Sequence, residues 1–401
     1  MKRAAALVVA GTVAVWALMR WVIYDFPQIG DTRVYQHAVR MMDAGLVPYR
    51  DFDVEYPPLA LAWAWGIFHL PGPPTLVFSL AMCAALAVCA VSALWLSRRL
   101  TLGRARTIAA VTVTILTPLL LGTLLQTRYD LLLAAALSLT IVAAVARRFG
   151  WMWTALAVAT ALKLVPVLLV PVLLIWHWRH RSAGRALGGM VASGGAVAAT
   201  FIPFFAVAPA ATWTLFEYHL RRPLQMESLG SSVIHILHLP FQQVHSYGSD
   251  NIDGAIPQLA ATLSTLALVG AVLAIAVVMA RATRGGPRPE VLVGAVAATM
   301  FAAVVFGKVV SPQYLAWLIP VALVVPGRRG ALAAVGFVAA LPLTQLVFPL
   351  LYSDLVQRSA TLPTVLLFLR NVLLIVCLVA LWPTAKRTQR TGRRKVAATR
   401  S

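Results

Sequence analysis

Apolar residues along the chain run in blocks, and most blocks are far too long for a strand or a half-buried helix. A bilayer core of about 30 Å takes about 20 apolar residues in helical form. Blocks of this kind fall at 4–23, 75–97, 107–126, 129–146, 186–207, 257–280, 290–307, 313–326, 330–350 and 362–383. They predict an all-α polytopic membrane protein with about ten full transmembrane helices. The first block follows Lys2-Arg3 as a signal peptide would, but its length, Trp16 and Trp21, and the lack of a small-x-small cleavage site predict a retained span.

Two blocks do not fit as plain crossings. Residues 59–70 are too short to span and are closed off by Pro57-Pro58 and Pro71-Gly72-Pro73-Pro74, which predicts a partly inserted segment. The run 151–178 has Arg147-Arg148 before it and Arg179-His180-Arg181 after it, with Lys163 and Pro166 in its middle. Both basic ends favour one side of the membrane, so the run is expected to be a broken helical hairpin turning near Lys163. Broken backbone at membrane depth is tolerated against protein or a wet cavity, so Lys163 should face one.

The polar stretches between blocks place a first outer loop at 24–56 and a second at 208–256. Within the first, 32–44 reads as an amphipathic helix with Val34, Ala38, Met41 and Met42 on one stripe, lying along the membrane surface. Residues 1–383 read as a single transmembrane domain without internal repeats, and 384–401 as a basic cytoplasmic tail.

Composition sharpens this picture. The chain is 60% hydrophobic and 12% charged with a mean hydropathy of +0.82, which excludes a soluble globular domain. A net charge of +21 raises the question of nucleic acid. Sorted by loop, however, the excess of Lys and Arg gathers at one set of span ends and in the tail, while every acidic residue except Glu290 falls on the other set. That is the positive-inside pattern, and it predicts a multi-pass plasma-membrane protein with both termini cytoplasmic and contact with anionic lipid, not nucleic acid. Cys83, Cys89 and Cys377 all lie inside apolar runs and form no metal spacing or disulfide framework.

Acidic residues concentrate in the first outer loop: Asp31, Asp43, Asp51, Asp53 and Glu55. Asp31 precedes the amphipathic helix, where it can act as N-cap, as general base at the membrane boundary, or both. Glu55 and Tyr56 can hold a substrate or position Asp31. Asp51 and Asp53 read as a solvated acidic turn, with a metal site as the other possibility. A lysine at mid-membrane is costly and typically functional, and Lys163 reads as a phosphate ligand. Lys308 suits either phosphate binding or placement at a span boundary. Arg128 and Asp130 share a short turn and are expected to pair with each other. Arg222 suits a headgroup or phosphate contact, or a solvated ion pair with Glu217 or Glu227. His219, His235, His238 and His245 lack carboxylates at metal-ligand spacing and read as interfacial or hydrogen-bonded.

Several short motifs, in order along the chain, share one resemblance. Gly30-Asp31-Thr32-Arg33-Val34-Tyr35, Gly45-Leu46-Val47-Pro48-Tyr49 and Glu55-Tyr56-Pro57-Pro58-Leu59 resemble the first outer loop of glycosyltransferase family 87, enzymes of GT-C type that use polyprenyl-phosphate sugars. Arg128-Tyr129-Asp130, Lys163-x-x-Pro166, Arg222-Pro223-Leu224-Gln225-Met226-Glu227-Ser228 and Lys308-Val309-Val310-Ser311-Pro312-Gln313-Tyr314 are similar to later motifs of the same family. The first loop also resembles that of the mannosyltransferase of glycosylphosphatidylinositol synthesis, where an Asp-x-Asp stands; Asp31 matches its first Asp, but Arg33 replaces the second. The resemblance implies a GT-C fold and an inverting transfer outside the cytoplasm; with Arg33 in place of the second Asp, neither a metal nor a cofactor is expected. A polyprenyl-phosphate sugar would be the donor and a lipid or glycan the acceptor. It implies Asp31 as the base, and Lys163, Lys308, Arg222 and Arg128 as donor-phosphate ligands. Tyr35, Glu55, Tyr56, Asp130, Gln225, Glu227, Gln313 and Tyr314 are implied in substrate binding. Mannose is the expected sugar, with arabinofuranose as the alternative within the family and a lipid or sugar transporter as the alternative outside it.

Overall fold

The computed structural model describes residues 1–23, 30–358 and 361–383. The start of the expected first outer loop, 24–29, and the expected basic tail, 384–401, lie outside the described residues. The fold is 78% helical with very little strand, an all-α polytopic membrane protein.

Seven helices among the described residues are long and apolar enough to cross a bilayer: Lys2–Val22, Pro74–Arg99, Arg104–Leu121, Ala183–Val207, Ala255–Ala282, Gly327–Leu350 and Thr361–Leu381. The other three expected crossings are shorter. Asp130–Val145 and Pro289–Val305 are apolar helices below full span length, and 313–326 is a 3₁₀ turn, Pro312–Leu318, followed by the short helix Ile319–Ala322. Burial explains the difference. Asp130–Val145 and Pro289–Val305 are apolar on every side and almost wholly buried, so neighbouring protein surrounds them where lipid would otherwise dictate their length. By contrast, only 11% of the apolar window of Ala183–Val207 is buried.

The hairpin forms as its charges require. Helix Phe149–Leu162 stops at Lys163, whose backbone is extended, and resumes through the 3₁₀ turn Val165–Leu169 into helix Val170–His180. Pro166 lacks an N–H to continue the first limb's ladder. The limbs fold back on each other: Phe149 stacks on His177 with ring centroids 4.1 Å apart, and Trp153 Nε1 donates to His177 Nδ1 at 3.1 Å. Both limb ends therefore lie on one side, with Lys163 at the far turn. On the basic side, arginines close helix ends. Arg179 donates to the Ala280 carbonyl at 3.1 Å and Arg329 to that of Val379 at 2.7 Å, each in the last turn of its helix, while Arg106 ties down the turn before helix Gly327–Leu350 through the Val325 and Gly327 carbonyls at 2.9 and 3.1 Å. Cations at the last carbonyls of a helix satisfy orphan acceptors and oppose the dipole.

The second polar stretch holds more order than its composition foretells. It contains helices Pro209–Arg221 and Leu229–Ile236 and a small antiparallel sheet in the order β1-β3-β2, with β1 Leu224–Gln225, β2 Gln242–Ser246 and β3 Ser249–Asp253. Tyr247 and Gly248 turn the β2–β3 hairpin with φ of 54° and 63°, the backbone twist that two-residue hairpins favour.

Candidate active site

Backbone fit sets the position of Asp31. A Cβ on Gly30 would lie 2.0 Å from Thr127 Oγ1, so only glycine lets the chain approach there. Thr32 Oγ1 donates to the Thr127 carbonyl at 3.1 Å and ties the next residue to the same segment. Helix Thr32–Asp43 then begins with Asp31 in the N-cap place, yet the Asp31 side chain makes no capping hydrogen bond. The capping role is thus corrected: the carboxylate bonds none of the backbone N–H groups of its own helix and lines a cavity instead. There Arg128 Nη2 lies 3.2 Å from Oδ1, and the Tyr35 hydroxyl donates to Oδ2 at 3.4 Å. Burial pushes the Asp31 carboxyl above the usual carboxylate range, against the pull of Arg128. Beneath it lies an aromatic floor. Tyr35 meets Tyr56, Phe78 and Tyr129 at centroid distances of 5.1, 5.6 and 5.6 Å.

The expected Arg128–Asp130 pair does not form. Arg128 goes to Asp31, and the buried Asp130 accepts from Lys163 Nζ at 2.9 Å and from Trp317 Nε1 at 2.6 Å. The reason is direction: Asp130 opens helix Asp130–Val145 and points inward, while Arg128 lies in extended backbone before it. Lys163 faces the cavity, as the hairpin reading requires. Its ammonium also lies over the rings of Tyr314, Trp317 and Tyr129, at 4.7, 4.8 and 5.5 Å. Aromatic faces and a carboxylate together offset the cost of holding an ammonium at that depth.

The second polar stretch supplies the opposite wall. Arg222 Nη2 donates to Ser249 Oγ at 2.8 Å, and its guanidinium lies 5.5 Å from the Tyr218 ring. Its expected ion pair is therefore corrected; Glu217 pairs with Arg221 at 3.2 Å and Glu227 with Arg370 at 4.0 Å. Gln225, on β1, donates to Ser311 Oγ at 3.3 Å. Glu55 accepts from the Tyr218 hydroxyl, which bridges the two outer loops.

These walls enclose a cavity of about 1060 Å³. It gathers Asp31, Tyr35, Glu55, Tyr56, Arg128, Asp130, Lys163, Arg222, Gln225, Glu227, Gln313 and Tyr314. Lys308 is the candidate left outside: its Nζ donates to the Leu220 carbonyl at 2.6 Å and closes the end of helix Pro209–Arg221. Asp51 accepts from Val47 N at 2.7 Å and pairs with Arg50 at 2.7 Å, holding the turn of the first loop. Among the described residues no group of three or more His, Cys, Asp or Glu side chains is placed to share a metal ion. His245 lies 2.9 Å from Asp250, and His235 Nδ1 is bonded within its own helix to Ser231.

Four lining or supporting side chains escaped the sequence reading: Tyr218, Trp317, Tyr352 and Arg370. Arg370 had a usable signal, an arginine in the middle of the otherwise apolar helix Thr361–Leu381. The three aromatic residues had none, since nothing in their local sequence separates them from the chain's other aromatics.

Comparison with known families adds one finding. The sequence profile described as glycosyltransferase family 87 matches residues 55–312. No curated protein matches the chain.

Proposed function

The chain belongs to glycosyltransferase family 87 and is a membrane glycosyltransferase, and from that premise we propose that it takes its sugar, mannose first, from a polyprenyl-phosphate donor. The acceptor is a hydroxyl of a lipid-linked glycan such as a phosphatidylinositol mannoside, and the reaction inverts the anomeric centre. In this reading the acceptor oxygen attacks the anomeric carbon as its proton passes to Asp31. The bond from that carbon to the phosphate oxygen breaks with its electron pair, and polyprenyl phosphate departs as an anion. A leaving phosphate needs positive charge nearby more than it needs an acid. One carboxylate and a set of cations therefore suffice, where a glycosidase uses two carboxyl groups.

The observation that supports the reading is the Asp31 carboxylate, uncommitted to its helix's backbone N–H groups and lining a cavity that also holds Arg128, Lys163 and Arg222. Arg222 is the best-suited phosphate ligand of the set. Arg128, Lys163 and Arg221 face carboxylates, whereas Arg222 has a neutral hydroxyl as its partner among the described residues. Placement of this cavity on the extracytoplasmic side rests on the charge asymmetry of the loops.

The test is transfer of radiolabelled polyprenyl-phosphate mannose to a membrane lipid extract by purified protein in lipid vesicles. A labelled glycolipid is expected from wild type and none from Asp31→Asn, with donor binding retained in the variant. Undiminished turnover by Asp31→Asn would refute the base. A parallel reaction with polyprenyl-phosphate arabinofuranose decides the sugar.

A further inference from the structure

Tyr218 touches two groups of opposite charge with two different parts of its side chain. Its hydroxyl meets Glu55 Oε2 and lies 2.8 Å from the Tyr247 carbonyl, so one proton faces acceptors from both polar stretches. Its ring lies 5.5 Å from the Arg222 guanidinium and packs edge-on against the Tyr247 ring, with centroids 5.0 Å apart. Tyr218 belongs to the last turn of helix Pro209–Arg221 and Arg222 follows directly, so the same turn carries both. All four residues line the cavity.

Arg222 is held without being neutralised. Ser249 Oγ accepts from Arg222 Nη2 at 2.8 Å and directs its own proton to Asn251 Oδ1 at 3.2 Å. A hydroxyl and an aromatic face orient a guanidinium but carry no formal charge to cancel it. Arg128 and Lys163, by contrast, each face a carboxylate, at 3.2 and 2.9 Å. Glu55 is the acidic group placed to do the same to Arg222, since Tyr218 and His219 each lie in the fields of both. Guanidinium and carboxylate favour a bidentate pair, and a phosphate arriving afterwards would have to break it.

We propose that Tyr218 is a positioning residue that keeps Glu55 from pairing with Arg222, so that the guanidinium stays open to an anionic phosphate. The phenol does this with its two ends: the hydroxyl engages the carboxylate, and the ring face steers the guanidinium. The assignment rests on the transferase reading, in which that phosphate is the donor's.

The experiment measures affinity of the full-length protein in lipid nanodiscs for a short-chain polyprenyl phosphate. Tyr218→Leu should weaken binding by roughly 10- to 100-fold. Adding Glu55→Gln to Tyr218→Leu should restore affinity to within about threefold of wild type, because the competing charge is gone. Tyr218→Phe keeps the ring and releases Glu55; its loss should be smaller and also reversed by Glu55→Gln. That second pair carries the test should Tyr218→Leu not fold. A tyrosine that only supports the fold would leave the loss unrepaired by Glu55→Gln. Loss that Glu55→Gln does not reverse, or full affinity in Tyr218→Leu, therefore overturns the proposal and leaves the donor reading intact. Wild type that does not bind the phosphate removes the donor reading and this proposal with it.

Discussion

At the scale of single residues, burial holds two carboxyls, Asp31 and Glu227, away from their ordinary state, and the proposed reaction uses the first. Asp31 must be ionised to take a proton, and burial raises its carboxyl above the ordinary range. Transfer should therefore decline as pH falls, with an acid limb centred above the usual carboxylate value; kcat/KM against pH locates it. Asp31→Asn should lower kcat by roughly 10²- to 10⁴-fold. Glu227 is pushed up to about 7 by burial, against the pull of Arg370 and Arg128 and with Asp250 adding to the rise. Tyr352 also lies in its field. The sign follows from the raised value. Folding favours the protonated form, so the stability it contributes is whole below the unfolded value of 4.5 and is lost as pH rises through about 7. Melting temperature measured across that window should fall less in Glu227→Gln than in wild type. The Lys163–Asp130 pair gives a further prediction. Removing one partner, as in Lys163→Met, leaves a buried charge and should cost about 3–5 kcal/mol, while Lys163→Met with Asp130→Leu should recover part of that. Denaturation of the three proteins in one detergent measures it.

Elements explain why these residues meet. The Gly30 contact with Thr127 acts on Asp31 through the backbone, so Gly30→Ala should reduce kcat and also lower the melting temperature, since the added Cβ must push the buried Thr127 aside. A displacement of about 1 Å at a reacting group can cost about 10²-fold; single-turnover rates separate that loss from weaker binding. The sequence already showed much of this level. Spans announce themselves by unbroken apolar runs, and the hairpin by cationic ends flanking Lys163 and Pro166. Asp31 stood out because acidic residues are scarce here and gather in one loop. Partnerships were hidden. Arg128 chose Asp31 over its neighbour Asp130, and Arg370 reaches a segment 143 residues away. Neither leaves a trace in local periodicity, since each depends on how remote segments stack. The β2–β3 hairpin was hidden for another reason: its alternation covers only a few residues between two long apolar helices.

For the whole molecule, the expectation is one of sidedness. The proposed orientation puts the basic helix ends in the cytoplasm and the cavity, lined by residues of both polar stretches, outside. A cysteine placed beside Asp250 should react with an impermeant maleimide in intact cells, whereas one added at the C-terminus should react only after lysis. Since the Asp51 carboxylate is held by Arg50 and Val47 N in the turn, transfer should persist in excess EDTA. Loss of transfer on chelation, restored by added divalent ion, would return Asp51 and Asp53 to consideration.

The folded-back limbs 149–180 have a mechanical consequence. Since Phe149 and His177 clasp the two limbs at their far ends, the bend at Lys163 is a braced piece of the cavity lining. A substrate with a long isoprenoid tail can then keep that tail among its neighbours while its charged joint slides sideways onto the bend, sparing the energy of lifting grease into water. Loosening the clasp, as in His177→Ala, should let the bend at Lys163 shift and slow turnover from the far end of the hairpin.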